Sequence, residues 1–146
     1  MEKKGFLVGL LCAFAVASVW SQNWQHNWNE AVVNAQKEHK NILLNFSGSD
    51  WCLPCIRMHK TIFNSPAFVS FSDQNLVLYN ADFPRSKKNQ PTKELVEQNN
   101  RLADTYNSEG HFPYTLLIDA NGKVLKSWTG FYNGTVDDFI AELKIN

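Results

Sequence analysis

Phe46-Ser47-Gly48-Ser49-Asp50-Trp51-Cys52-Leu53-Pro54-Cys55 joins an apolar run to a helical pattern. Ile42 to Phe46 is short, apolar and β-favouring at its ends, so it reads as a buried strand. Ser47 to Asp50 breaks it. The helical pattern begins at or just after Cys52 and runs to about Phe63. Pro54 falls in the first turn, where a missing backbone N–H costs little. A strand therefore delivers Cys52 to a helix start. Unpaired N–H groups and the helix dipole favour negative charge there, which pushes a thiol toward the nucleophilic thiolate. Cys55 lies one helical turn further on, within reach of the first sulfur. Cys52 is the expected attacking residue, and Cys55 the residue that resolves a mixed disulfide.

The chain of 146 residues holds three cysteines, and the third, Cys12, lies in a different kind of segment. Lys3 and Lys4 form a positive start, and Gly5 to Trp20 carries no charge. Small residues follow, with cleavage expected after Ser21 or Ala17. This is the layout of a secretory signal peptide over residues 1–21, ahead of one domain over residues 22–146. The apolar run is shorter than the roughly 20 residues that span a bilayer, which argues against a permanent anchor. A lipoprotein reading of Cys12 meets Leu11 where a small residue is expected. The exported chain then keeps Cys52 and Cys55. A bond across two residues barely constrains an unfolded chain, so the pair is chemical rather than structural.

Other uses of the pair fit poorly. A structural zinc site needs four ligands, and the remaining candidates are scattered histidines, so no metal is expected. Haem attachment needs a histidine directly after the second cysteine, where Ile56 stands. The 14 basic and 14 acidic residues balance. A neutral chain gives no electrostatic footprint for nucleic acid or an anionic membrane.

Around the cysteines, Trp24, Trp28, Ala31, Val32 and Ala35 make one face of a helix over residues 23–40. Asn64-Ser65-Pro66 ends the cysteine helix and starts another short one. Leu76 to Tyr79 is a second buried strand. Phe83 to Thr92 holds Pro84 and Pro91 and reads as a loop, a surface elaboration. A helix follows, with Leu95, Leu102 and Tyr106 on one face. Tyr114 to Ile118 is a third strand, Asp119-Ala120-Asn121-Gly122 a hairpin turn, and Lys123 to Trp128 an edge-type strand. Val136, Phe139, Ile140 and Leu143 line a final helix. The expected fold is α/β, a four-stranded mixed sheet with helices on both faces, its first two strands parallel and its last two antiparallel.

Trp51-Cys52-Leu53-Pro54-Cys55 resembles the Trp-Cys-x-x-Cys site of the thioredoxin family, and His111-Phe112-Pro113-Tyr114-Thr115 resembles its second signature. The resemblance covers residues 24–146 and is nearest to secreted bacterial thioredoxin-like proteins whose site follows Gly-Ser-Asp-Trp. It implies a thioredoxin fold, a Cys52–Cys55 redox pair, and a cis-proline at Pro113 facing the disulfide. It also implies that the Phe112 backbone pairs with the bound substrate. Pro54 stands where thioredoxins have proline, which leans toward a reductant. Trp51 shields one side of the site or simply packs. The family's buried acid, on the strand before the site, is replaced by Asn45, and an amide cannot act as a base. Asp50 is the nearby alternative, although a loop or capping role suits it better. His59 reads as a solvated helix residue, His111 as either the site's edge or a loop residue. Trp24, Trp28, Phe131 and Tyr132 read as packing.

The function expected is thiol–disulfide exchange with exported protein substrates, in a periplasm, by a monomer without a dissolved cofactor. A reductant there needs a membrane electron donor. The competing reading is a thioredoxin-fold binding or chaperone-like module without turnover.

Overall fold

The computed structural model describes residues 22–144; the expected leader lies outside them. Four strands carry the sheet: β2 (Asn41–Ser47), β3 (Leu76–Asp82), β4 (Tyr114–Ile118) and β5 (Val124–Thr129). β2 runs parallel to β3 and antiparallel to β4, and β4 pairs antiparallel with β5. A fifth strand corrects the four-stranded expectation. β1 (Trp24–Gln25) pairs parallel with Leu78 and Tyr79, so the order is β1-β3-β2-β4-β5.

That strand also shortens the first helix. The i, i+4 spacing of Trp24 and Trp28 reads as helical, but α1 (Trp28–Glu38) starts only after Asn27, whose side chain accepts from the Glu30 N–H. This N-cap closes the helix at its first turn and leaves Trp24 in the sheet. The remaining helices are α2 (Leu53–Met58), α3 (Pro66–Asn75), α4 (Lys93–Tyr106) and α5 (Val136–Leu143). α2 continues without a break into a π-helical turn, His59–Phe63.

Alternation along the strands splits the core between the two faces. Ile42, Leu44, Phe46, Val77, Tyr79, Leu116 and Ile118 pack with Ala31 and Ala35 of α1 and Leu102 of α4. Leu43, Leu78 and Leu117 face the other way, against Met58, Ile62, Phe63, Phe68, Phe139 and Leu143. Phe139 is the centre of this second layer. Its ring meets those of Phe63, Phe68, Trp128 and Tyr132 at centroid distances of 5.0 to 6.2 Å. Glu142 fastens the same corner by accepting from Trp128 Nε1 and Tyr132 Oη, both at 2.7 Å. That hydrogen bond holds the Tyr132 phenol protonated, its pKa pushed up to about 12. Phe139→Ala should therefore cost about 3–5 kcal/mol, a loss of transfer energy and an unfilled cavity together. Urea denaturation of the variant and the parent measures it.

Candidate functional site

β2 ends at Ser47, and the loop to α2 folds tightly enough that Cys52 N–H donates to the Gly48 carbonyl. Gly48 has to be glycine, since a Cβ there would fall within the Trp51 indole. Two carboxylates fix the loop. Asp82, at the end of β3, accepts from the Ser49 N–H at 2.8 Å and from the Ser49 hydroxyl. Asp50 accepts from the backbone N–H groups of Arg85 and Ser86 and from Asn89 Nδ2, each at 2.9 Å. The Arg85 bond, then Asn89, then Ser86, hold the Asp50 carboxyl below its ordinary value. Asp50 is thus a loop anchor and a poor proton acceptor near neutrality.

Cys52 and Cys55 are joined, with S–S 2.06 Å. Cys52 is the N-cap of α2, and its Sγ accepts from the Cys55 N–H at 3.3 Å. This contact places the sulfur on the unpaired N–H groups of the helix start. Both cysteines are almost buried, at 4% and 1% exposure, whereas Leu53 between them is 76% exposed. The Phe112–Pro113 peptide bond is cis. Trp51 meets Phe112 edge-on at 5.4 Å, and Phe112 meets Phe83 at 5.6 Å. Pro113 O accepts from the Gly130 N–H, which brings the 130–134 loop to the cis-proline.

The 83–92 segment is not a detached surface elaboration. Trp51 Nε1 donates to the Phe83 carbonyl at 2.7 Å, and the Arg85 guanidinium stacks 3.8 Å from the Trp51 ring centroid. The segment is a wall of the site, held by Asp50. Sequence reading misses this because nothing in an Asp or an Arg tells which remote backbone it meets.

Beneath the disulfide helix, Asn45 is fully buried and shares its face of the sheet with Leu43. Thr115 Oγ1 donates to Asn45 Oδ1 at 2.9 Å, and Asn45 Nδ2 donates to Asn80 Oδ1 at 2.8 Å. Ser47 Oγ lies 3.2 Å from Asn80 Oδ1 and 3.3 Å from Asp82 Oδ1, so a polar chain runs from Asn45 to the Asp82 carboxylate. No buried side-chain N or O atom among the described residues lacks a partner. The buried polar set around Asn45 is made of amides and hydroxyls.

His59 corrects the expectation of a solvated residue. Its ring packs on Trp24 at 5.5 Å and Phe63 at 5.1 Å, beside a cavity of about 670 Å³ reaching Asn80, Asp82 and Asn99. Burial lowers its pKa, against the opposing pull of the Asn80 side chain and the Asp82 charge. This cavity opens at the β3 edge beyond β1 and does not hold the cysteines. His111 pairs with Glu109 at 2.7 Å. Asn107, which the sequence does not single out, clamps the approach to Pro113: its Oδ1 accepts from His111 N–H and its Nδ2 donates to His111 O. No group of three His, Cys, Asp or Glu residues among those described is placed to hold a metal.

Residues 28–144 match the family described as a thioredoxin-like domain. The chain is 36% identical over 121 residues to the disulfide bond reductase DsbH of Chlamydia pneumoniae, covering 83% of this chain and 70% of that one. The thioredoxin-related protein DsbJ of Chlamydia pneumoniae is 24% identical over 112 residues, and the match spans 77% of this chain but 31% of DsbJ. A solved structure of a DsbH oxidoreductase superposes with a TM-score of 0.77 at 31% identity, covering 97% of this chain and 92% of that chain. A thioredoxin from Thermus thermophilus, at 16% identity and a TM-score of 0.61 over 85% of this chain and 86% of its own, shares the fold.

Asn45→Asp should test the amide layer. The new carboxyl faces Asn80 Oδ1 in a dry site with Asp82 close along the chain of hydrogen bonds, so its pKa rises. The folded state then holds this proton more tightly than the unfolded state. Stability loss is small below about pH 4 and grows as pH rises, reaching at least about 1–3 kcal/mol. Cys55 gains a base, so mixed-disulfide resolution should quicken above the pH at which the acid ionises. Stopped-flow rates against pH, with denaturation run in parallel, measure both; identical profiles for parent and variant would mean that Asn45 does not sit beneath Cys55.

Proposed function

The chain belongs to the thioredoxin-like family and is a thiol–disulfide oxidoreductase, and we propose that it works as a reductant of disulfides in exported proteins. The observation that carries this reading is Cys52 as the N-cap of α2, bonded to Cys55 beside the cis Phe112–Pro113 bond. The 36% identity to a protein named as a disulfide bond reductase supports the direction.

The reaction runs in two exchanges. The Cys52 thiolate of the reduced protein attacks a substrate disulfide, forming Cys52–S–S–substrate and releasing one substrate thiolate. Cys55 then gives up its proton and attacks the Cys52 sulfur. The Cys52–Cys55 bond forms, the second substrate thiolate leaves, and two electrons have passed to the substrate. Trp51 and Phe112 form one side of the opening, Leu53 and Pro54 its rim. The Phe112 backbone pairs with the substrate segment next to its cysteine. Renewal of the dithiol draws on a membrane-borne thiol donor. A non-catalytic binding module has no use for a joined cysteine pair in this position, and turnover of insulin with dithiothreitol separates the two.

Cys52→Ser should abolish exchange, while Cys55→Ser should accumulate mixed disulfides through Cys52, identified by mass spectrometry. If iodoacetamide at neutral pH alkylates Cys55 first, the roles are reversed.

Residues 1–21 act as a cleaved leader, placing the enzyme in the periplasm. N-terminal sequencing of the exported fraction should begin after Ser21 or Ala17. Met1 intact on membrane-held protein would sink this assignment.

A further inference from the structure

Two arginines flank the redox opening in the same way. Arg85 stacks on Trp51, the residue before Cys52, with Cζ 3.8 Å from the ring centroid. Arg57, on α2 two residues after Cys55, stacks on Phe131 with Cζ 4.4 Å from that ring's centroid. Both aromatics border the cis-proline, Trp51 through Phe112 and Phe131 through the Gly130 bond to Pro113 O. Each guanidinium is thus held by an aromatic ring next to a segment that touches the Phe112–Pro113 edge.

Neither arginine takes part in an ion pair among the described residues, and both are exposed. The nearby carboxylates are already engaged, Asp50 by the backbone of Arg85 and Ser86 and by Asn89, and Asp82 by Ser47 and Ser49. Lys87 and Lys88 add exposed positive charge on the Arg85 side. A guanidinium held over a ring by cation–π attraction can still offer its N–H donors to a carboxylate, in the fork that binds both oxygens. On the Arg57 side, Leu53, Pro54, Arg57, Phe131 and Asn133 line a groove of about 360 Å³. Its floor is apolar and its rim cationic. Arg57, Arg85, Lys87 and Lys88 thus set four cationic groups near the redox opening against the carboxylates of Asp50 and Asp82.

We propose that the site selects disulfides flanked by acidic side chains, Arg57 and Arg85 each taking a carboxylate and the Leu53–Phe131 groove taking an apolar residue of the same segment. This rests on the disulfide-exchange reading above and names its substrate class. The charges act on encounter and on register, so the selectivity is ionic-strength dependent.

Three peptides test it, each closed by one disulfide whose flanking residues are glutamate, serine or lysine. Stopped-flow rates of reduction by the reduced protein are divided by the rate of dithiothreitol on the same peptide, which removes differences in leaving-group pKa. At low salt the glutamate peptide should be favoured over the lysine peptide by about tenfold or more, with serine between, as steering of this kind gives. The ratio should fall toward one at high salt. Charge reversal in the Arg57→Glu, Arg85→Glu double variant should invert the order. Comparing peptides on one protein makes the order independent of the Cys52 thiolate fraction. Equal normalised rates for the three peptides at low salt overturn the proposal and leave the redox function standing. Salt-insensitive ratios also overturn it. Failure to reduce any of the three overturns the redox reading itself, and this proposal with it.

Discussion

The geometry of the site depends on two carboxylates that hold the Ser47–Trp51 loop from either side. Asp82 takes the Ser49 backbone at the end of β3, and Asp50 takes the backbone of Arg85 and Ser86. Each satisfies N–H groups that no strand or helix pairs, so the loop between β2 and α2 has one shape. From that shape follow the seat of Cys52 at the helix start, the contact of Trp51 with Phe112, and the placing of Arg85. In the loop both carboxylates have a structural role. Both act by spending their lone pairs on backbone.

The layer beneath follows a different principle. A buried carboxylate under a redox cysteine supplies a base but costs desolvation and stability. Here the position is filled by amides and hydroxyls whose hydrogen bonds close on one another, from Thr115 through Asn45 and Asn80 to Ser47. The set is neutral and fully satisfied, which favours a fixed sheet over proton transfer. Cys55 must therefore lose its proton by another route, and Asp82 is the carboxylate to which the polar chain leads.

Much of this was legible before any coordinates. β4 runs from Tyr114 to Ile118 as its apolar run indicates, and the helix of Cys52 reaches Phe63. The cysteine pair and the helix start are local facts that spacing and resemblance carry. What was hidden is pairing at a distance. A two-residue strand has no alternation to read, so Trp24 looked like a turn of α1. His59 lies four residues after Cys55 on the same helical face and reads as a solvated residue, yet the stray strand delivers Trp24 onto its ring. The 83–92 loop carries proline and polar residues as any surface loop does, and only its hydrogen bonds to Asp50 and Trp51 make it a wall. Phe131 reads as packing until Arg57 is found stacked upon it.

The two margins of the sheet have a bearing on solubility. On one side β1 offers just two residues of ladder, and the Asp82 carbonyl beyond it is already taken by Asn99 Nδ2. On the other, β5 departs from regular register near Leu117 and Ile118, and Lys126 bends across to the Glu142 carbonyl. A neighbouring chain seeking to extend the sheet meets a template too short at one margin and a bent, charged one at the other. Strand addition is thereby disfavoured at both margins, and the cohesive strand β2, paired along its length on both sides, is shielded from it.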